Sequence, residues 1–333
     1  MKASEMNPIY SVFVVKGNTK YDVTPIVISI STTDMAKEMA CRATIELMDY
    51  KQDGLTDILN VRNRVFIYAD TGSGKQEVFR GFIWTYSSKH SLDEKSVAIK
   101  CYDNLIYLQE SEESLFYAEG KSTQGILSDI CSRWGINLSY NYQSITHSKL
   151  ALRGNLSDTI TADILDLVKD RSGKKYVILS KQDTMYISGE GQNSTVYAFK
   201  QGENITVSQS GCTMDGMVTK VVIVGKAEEN DRLPVEATIS GDTANYGTLQ
   251  KVISRDSNTT LADAKTEANN IIKNNGKPYW EYEAQAPDVP WIRKGDKIRL
   301  EADNCSVTYP IVKSVERSIS NKRKIMTLTL EPA

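Results

Sequence analysis

An internal repeat constrains the fold of this chain more than any other feature of its sequence. Residues 64–103 and residues 297–330 each read as strand, turn, strand, polar turn and strand. The aligned apolar residues share an offset of 233 residues before a four-residue gap and of 229 residues after it: Val65 with Ile298, Ile67 with Leu300, Val97 with Met326, and Ile99 with Leu328. Identity between the copies is low, so chance similarity between two β-meanders is the alternative. The constant order of elements favours two copies of one β-barrel module.

Alternation of apolar and polar residues, rich in β-branched side chains, predicts strands at both ends of the chain. The first group comprises 9–15, 21–30, 42–48, 64–70, 77–86 and 95–102. The last group comprises 218–224, 279–285, 296–301, 306–316 and 324–330. Both ends are therefore expected to be β structure.

Helical spacing of apolar residues appears between and within these β regions. It predicts helices over about 122–134, 158–171 and 261–273, the last with Leu261 on its inward face. Ser122 or Thr123 is the expected cap of the first helix, Ser157 or Asp158 of the second, and Thr260 of the third. Two short strands, 175–179 and 184–187, follow the second helix.

The predicted fold is mainly β with an α+β insertion: two similar β-barrel modules plus a small α+β domain. The first module is assigned to residues 1–108, the inserted α+β domain to 109–203, and the second module, with one helix, to 204–333. Strands near 204–226 are further candidates for completing the first barrel.

Composition excludes several classes of protein. The sequence has 40 Lys and Arg residues against 42 Asp and Glu residues. It therefore lacks the basic excess that would indicate specific nucleic-acid recognition. No apolar stretch approaches the ~20 residues that span a bilayer, so no membrane insertion is expected. The five cysteines are scattered without a C-x-x-C pair, which predicts neither a disulfide framework nor a zinc site and favours a chain that is made and kept in a cytoplasm.

Motifs for catalysis or cofactor binding are incomplete. Residues 71–75 look like a phosphate loop, but Ala69 and Gln76 stand where that loop needs a glycine and a hydroxyl residue, so a hairpin turn is expected. The only two histidines, His90 and His147, lie in polar segments without a nucleophile motif. The sequence thus predicts a non-enzymatic protein with no catalytic residue, cofactor or metal.

Aromatic residues cluster at Tyr279, Trp280 and Tyr282, with Trp291 beyond. The cluster is either a platform for a sugar or a strand that packs its rings on one face. A standalone carbohydrate-binding β protein is therefore one alternative function. A particle-associated cell-wall hydrolase is another, and it would need a catalytic constellation that the sequence does not show.

Two predicted strands carry more apolar side chains than one buried face requires. In 21–30 these include Ile26, Ile28 and Ile30, and in 218–224 they include Val222 and Val224. Such a strand is either buried on both faces or covered by a neighbouring subunit. We interpret at least one of these strands as a subunit interface.

Several segments, taken in order, resemble one family over nearly the whole chain. They are Tyr21–Pro25, Phe79–Ile83, Cys101–Leu108, Phe116–Thr123, Leu261–Lys265 and Ile292–Ile298. This succession resembles the XkdQ/YqbQ-type hub proteins of contractile phage tails, which are related to the late-control D proteins. Ser122 stands where the family usually has a threonine.

The resemblance implies a structural role in the baseplate of a virion or of a phage-tail-like bacteriocin. Such a hub is expected to be a homotrimeric ring that joins the hexameric tail tube to the trimeric central spike. The implied partners are the tube protein, the spike protein and other baseplate proteins, a LysM-type protein among the candidates. The inserted domain is expected on the outside of the ring.

Overall fold

The computed structural model describes residues 7–49, 55–90, 95–225, 233–255 and 259–332. The strands in these residues are β1 (Ile9–Lys16), β2 (Thr19–Asp22), β3 (Val27–Met35), β4 (Arg42–Met48), β5 (Arg64–Asp70), β6 (Gln76–His90), β7 (Lys95–Tyr102), β8 (Glu112–Tyr117), β9 (Asn137–Asn141), β10 (Leu150–Asn155), β11 (Tyr176–Lys181), β12 (Thr184–Gly189), β13 (Ala198–Lys200), β14 (Val207–Thr213), β15 (Lys220–Val224), β16 (Val235–Ser240), β17 (Gln250–Ser254), β18 (Tyr279–Pro287), β19 (Arg299–Glu301), β20 (Ile311–Ser320) and β21 (Lys324–Glu331). The helices are α1 (Leu55–Ile58), α2 (Ile106–Gln109), α3 (Thr123–Arg133), α4 (Leu156–Asp158), α5 (Asp166–Ser172), α6 (Thr243–Tyr246) and α7 (Leu261–Asn275), with a π-helical segment (Thr159–Leu165) between α4 and α5.

One antiparallel sheet of eleven strands dominates the fold, in the order β14-β18-β21-β20-β3-β4-β7-β6-β5-β1-β2. Buried and more exposed side chains alternate along its strands, as the sequence predicts. In β4, for example, Ala43, Ile45 and Leu47 are completely buried, whereas Arg42 and Glu46 point to the other face. The predicted fold class, mainly β with helices set into it, is confirmed.

The internal repeat is confirmed by strand order. β5, β6, β7, β4 and β3 lie side by side in the first half of the chain. In the second half, β20, β21, β18 and β14 follow the same antiparallel order, and 297–300 runs antiparallel to 308–311 at the place of β5. We call β1–β7 the first module, and β13, β14 and β18–β21 the second module.

A shared β-bulge fixes the register of the repeat. β6 shifts register against β7 between Ile83 and Thr85, and β20 shifts against β21 between Val312 and Ser314. Val312 follows Ile83, and Ser314 follows Thr85, by the same 229 residues that relate the two copies. Because a bulge is a local distortion at one particular residue, its recurrence at the same place supports duplication more strongly than strand order alone.

The turn that leads into each repeat is also shared. Arg62 N donates to Ile83 O, and Gly295 N donates to Val312 O, each at 2.7 Å. Arg62 and Gly295 both adopt left-handed backbone, with φ of 69° and 83°. This conformation suits glycine and is unusual for arginine, so the turn geometry is retained in the first module despite its cost.

Pairing across the sheet extends the correspondence to the outer strands. In the first module Ile99 lies opposite Ile45, and Ile45 lies opposite Ile30. In the second module Leu328 lies opposite Ala284, and Ala284 lies opposite Ser208. β14 is therefore the copy of β3, and β18 is the copy of β4.

The inserted α+β domain has a core of its own. The apolar residues of α3 and of the segment from α4 to α5 pack with β8–β12, and this core includes Leu105 and Leu108. Ser122 caps α3, as expected. The next helix is capped by Asn155 rather than by Ser157 or Asp158, because it begins earlier than its apolar spacing indicates. The half-buried Trp134 ends α3.

A second insertion separates β14 from β18. Parallel β15 and β17, with β16 antiparallel on the other side of β15, pack on α7 around Val221, Ile223 and Ala268. Thr260 and Asp263 form the capping box of α7, whereas Leu261 is exposed, contrary to its predicted inward position. This unit was not predicted as a separate core, since its short strands are partly polar.

Two further strand predictions need correction. The predicted strand 21–30 is interrupted by a 3₁₀ turn (Thr24–Ile26), because Pro25 cannot donate to a sheet. The strands near 204–226 do not complete the first barrel, since β14 pairs with β18 and β15 pairs with β16 and β17. The division of the chain at residues 108 and 203 stays a prediction; β13, before the second boundary, pairs with β19.

Candidate functional site

The surfaces that join modules are the candidate site of this chain. No group of three or more His, Cys, Asp or Glu side chains suited to hold a metal ion occurs among the described residues. In that same part of the chain, no helix is both long and apolar enough to span a membrane. The features that remain are a junction between the two modules and the strand edges that lack a neighbour.

The junction is a strand pair. β3 of the first module and β20 of the second run antiparallel from Ser29–Ser320 to Met35–Ser314. β3 also pairs with β4, and β20 also pairs with β21, so the sheet continues from one module into the other. The side chains of Ile30 and Ile319, which face each other across this junction, lie in the core of the first module.

A buried ionic cluster fastens one end of the junction. Asp34 is 1% exposed, and the Arg293 Nε atom donates to its Oδ2 atom at 2.6 Å. Burial by itself would raise the pKa of Asp34, but the charges of Arg293 and Lys294 lower it below its usual range. The carboxylate is therefore held ionised by two cations from the opposite module.

Lys294 adds backbone contacts to this cluster. Its Nζ atom donates to the carbonyl oxygens of Met35 at 3.1 Å, Glu38 at 2.6 Å and Met39 at 3.3 Å. An ammonium group has three donors, and here all three are directed at the chain that leaves β3. The lysine thus ties the connection after β3 to the second module.

A second buried pair lies on the same sheet. Arg317 Nε donates to Asp288 Oδ1 at 3.0 Å, and the guanidinium also reaches the carbonyl oxygens of Val289 and Ile292. Tyr10 of the first module hydrogen-bonds the other oxygen of Asp288. Burial, together with the negative charge of Asp288, raises the pKa of that tyrosine far above its usual value.

Asp103 lies close to the cluster, and its pKa is shifted in the direction opposite to that of Asp34. Burial raises its pKa to about 6, even though the N–H groups of Cys41 and Leu105 donate to its carboxylate. Because folded Asp103 holds its proton more tightly than the unfolded chain, its stabilising contribution is full below about pH 4 and is lost as the pH rises through about 6. This fall corresponds to about 3 kcal/mol of unfolding free energy.

We expect the variant Asp103→Asn to lack this part of the pH dependence. Urea unfolding of both proteins from pH 4 to pH 7 measures it as the difference between the two curves, so contributions from other carboxylates cancel. Asp34 contributes with the opposite sign, because its lowered pKa makes it stabilising above about pH 4. Parallel curves for the two proteins would contradict the prediction.

Among the strands of the repeat that the structure describes, two have an open edge. β14 pairs with β18 alone. β6 pairs with β5 over Gln76–Phe82 and with β7 from Phe82 onward, so Thr85–Ser88 has a strand neighbour on one side only. Open edges of this kind present unpaired N–H and C=O groups, which makes them natural places for another strand to add.

Four of the five predicted interface residues lie on interior strands, and the fifth, Ile26, lies in the 3₁₀ turn before β3. Ile30, Val222 and Val224 are buried by their own chain, whereas Ile26 and Ile28 are half-buried. β3 and β15 each have strand neighbours on both sides. The prediction of a subunit contact at these strands stays a prediction, and the half-buried Ile26 and Ile28 are its accessible members.

The other residues singled out in the sequence are placed as follows. Residues 71–75 form the turn between β5 and β6, as predicted. His147 is buried, and its Nε2 atom lies 2.9 Å from Thr123 Oγ1. Trp280 is 46% exposed and stacks on the buried Tyr282. Asp34, Lys294 and Arg317 were not predicted, because an isolated charged residue in a strand or a loop has the sequence pattern of a solvent-facing residue.

Comparison with known proteins decides the family. A family model described as YQBQ-like matches residues 38–331, which is nearly the whole chain. The chain belongs to the YQBQ-like family. The resemblance stated from the sequence segments is therefore confirmed.

Solved structures share the fold of this YQBQ-like chain. The 43 kDa tail protein of prophage MuSo2 from Shewanella oneidensis matches with a TM-score of 0.69 and 13% identity, covering 97% of this chain and 98% of that one. A tail protein from Neisseria meningitidis MC58 matches with a TM-score of 0.70 and 12% identity, covering 97% and 96%. The E. coli c3393 protein, a component of the type VI secretion system, matches with a TM-score of 0.59 and 9% identity, covering 92% and 74%.

At these identities the similarity establishes the fold of the YQBQ-like chain. No curated protein matches the chain in a comparison of sequences. The function is therefore inferred from the family, the fold and the geometry of the modules together.

Proposed function

We propose that this chain is a structural hub of a tail baseplate, in a virion or a phage-tail-like particle. In this role it forms a homotrimeric ring that joins the hexameric tail tube to the trimeric central spike. Its YQBQ-like family and its similarity in fold to two tail proteins and a type VI secretion component support the proposal.

The duplication is the observation that carries the proposal. Each chain holds two modules with the same strand order, the same bulge and the same entry turn. A ring of three such chains presents six similar modules in a circle. One face of the ring can then match six tube subunits, while the ring itself keeps the threefold symmetry of a spike.

The two inserted units supply surfaces for other partners. They pack on each other through α5 and α7, where Arg171 pairs with Glu267, and where the Asn270 side chain donates to the carbonyl of Asp170. We place them on the outside of the ring, facing further baseplate proteins, of which a LysM-type protein is one candidate. The role is non-enzymatic and requires no cofactor, and the protein is made in the bacterial cytoplasm before it joins the particle.

Mass measurement of the purified chain, alone and mixed with the tube protein of the same particle, tests this proposal. We expect a threefold mass for the ring and one ring at the end of each tube, visible by electron microscopy. A carbohydrate-binding protein would instead be monomeric, and glycan would quench the fluorescence of Trp280 or Trp291. A single copy of the chain in the assembled particle would contradict the hub function.

A further inference from the structure

We propose that the open edge of β14 pairs with Thr85–Ser88 of β6 in a second copy of this chain, in the register that β3 and β20 use inside one chain. This inference rests on the proposed ring and identifies the strands and residues of its seam. The partner is the same chain, so every subunit contributes β14 to one neighbour and β6 to the other.

The repeat assigns each open edge to the other. Within a chain, β20 lies between β21 and β3. Its copy β6 has β7 in the place of β21, but no described strand in the place of β3 along Thr85–Ser88. The copy of β3 is β14, whose outer side is also open in the described part of the chain. The two edges are therefore the two halves of a junction that each chain already makes once.

The inner junction also supplies the register of the seam. Asp34 lies opposite Val315, and Thr32 lies opposite Arg317. The copies of Asp34 and Val315 are Cys212 and Tyr86, because β14 follows the pairing of β3 and β6 shares the bulge of β20. By the same correspondence, Ser210 lies opposite Ser88.

Exposed apolar side chains lie along these two edges. At the inner junction, Ala36 N donates to Lys313 O at 2.8 Å, and the copies of these residues are Met214 and Trp84. Met214 is 43% exposed and Trp84 39% exposed in the single chain. Val61, the copy of Lys294, is 53% exposed. A second copy seated on the edges would cover these side chains, and burial of apolar surface drives association.

The seam also lacks the charges of the inner junction. The copies of its four central charged residues are all uncharged: Asp34 becomes Cys212, Arg293 becomes Asn60, Lys294 becomes Val61, and Arg317 becomes Ser88. At these four positions a pair of separate chains consequently meets without burying an unpaired charge, which would oppose association. The pairing is head to tail, so it closes into a ring or continues as a filament.

Disulfide trapping tests the register. Residues directly opposite each other in antiparallel strands have Cα atoms about 4.5–5.5 Å apart, within the range that a disulfide bridges. Cys212 is a free and exposed thiol, so Tyr86→Cys should form an intermolecular disulfide with it on mild oxidation. Two thiols lose two electrons and two protons to an added oxidant such as oxidised glutathione. On a non-reducing gel we expect bands of two and three disulfide-linked chains, a ladder that ends at three chains and disappears on reduction.

Two matched variants control this experiment. Tyr86→Cys combined with Cys212→Ser should give no ladder. Ser87→Cys, whose side chain points to the other face of the sheet, should crosslink far less, and unfolding curves confirm that each variant is folded. Equal crosslinking of Ser87→Cys and Tyr86→Cys would overturn the register, as would a chain that assembles without any crosslink at Tyr86→Cys.

A charge placed on the seam provides a second measurement. Val61→Glu should shift the chain from the ring to the monomer in a sizing experiment. Val235→Glu changes an even more exposed valine, on β16, and should leave the ring intact. A ring that survives Val61→Glu, or a chain that stays monomeric and uncrosslinked at its highest soluble concentration, overturns the seam. A ladder that ends at another number supports the seam and contradicts the proposed three-chain ring.

Discussion

Replacing Asp34 by alanine is expected to lower the unfolding free energy by about 3–5 kcal/mol, because the buried Lys294 and the largely buried Arg293 lose their anion. Arg293 contacts the Asp34 carboxylate at 2.6 Å, and Lys294 Nζ lies 3.5 Å from it. Removing one partner of a buried ion pair leaves the other charge desolvated and uncompensated. Denaturant unfolding of the wild type and the variant at pH 7 measures the loss.

Glu301→Ala is the matched control for Asp34→Ala. It breaks the exposed pair between Arg299 and Glu301, and exposed pairs contribute only about 0–1 kcal/mol. If Asp34→Ala cost no more than this control, the cluster would not stabilise the junction between the modules.

Truncation at equivalent positions of the repeat is expected to have equal and large effects. Ile99 and Leu328 are completely buried at matching places in the cores of the two modules. Ile99→Ala and Leu328→Ala should each cost about 2–5 kcal/mol, the range for large-to-small changes in cores. Because β3 and β20 join the modules into one sheet, we expect each variant to lower the midpoint of a single unfolding transition.

Val252→Ala serves as the control for both truncations. Its side chain is 53% exposed on β17, so we expect a change within about 0.5 kcal/mol. Two separate transitions, each lowered by only one of the core variants, would show that the modules unfold independently.

The buried faces of the modules could be predicted from the sequence because alternation records them directly. Val97, Ile99 and Cys101 are all buried, whereas Ala98 and Lys100 between them are more exposed. β14 could not be predicted in the same way, since an edge strand with one neighbour needs few apolar residues; its sequence is VSQSGCT. The repeat in the sequence therefore showed three of the five duplicated strands, and the pairing of β14 and β18 completes the set.

The junction between the modules could not be predicted from the periodicity of the sequence. Asp34 and Arg293 are 259 residues apart in the sequence, and a single carboxylate in a strand reads as a solvent-facing residue. Only the pairing of β3 with β20 brings the cations to it. The predicted interface on β3 and β15 also depends on information that the sequence lacks. A strand that is apolar on both faces has the same sequence pattern whether its own chain or another chain covers it.

The connections of the two modules differ greatly in length. β3 is joined to β4 by residues 36–41, whereas β14 is joined to β18 by residues 214–278, which contain α7. In a ring of three chains, short and long connections would alternate around the circumference. A protein that touches only the shared strands would encounter six equivalent positions, and one that reaches the long connections would encounter three. Which symmetry a binding partner detects would then depend on the part of the ring it contacts.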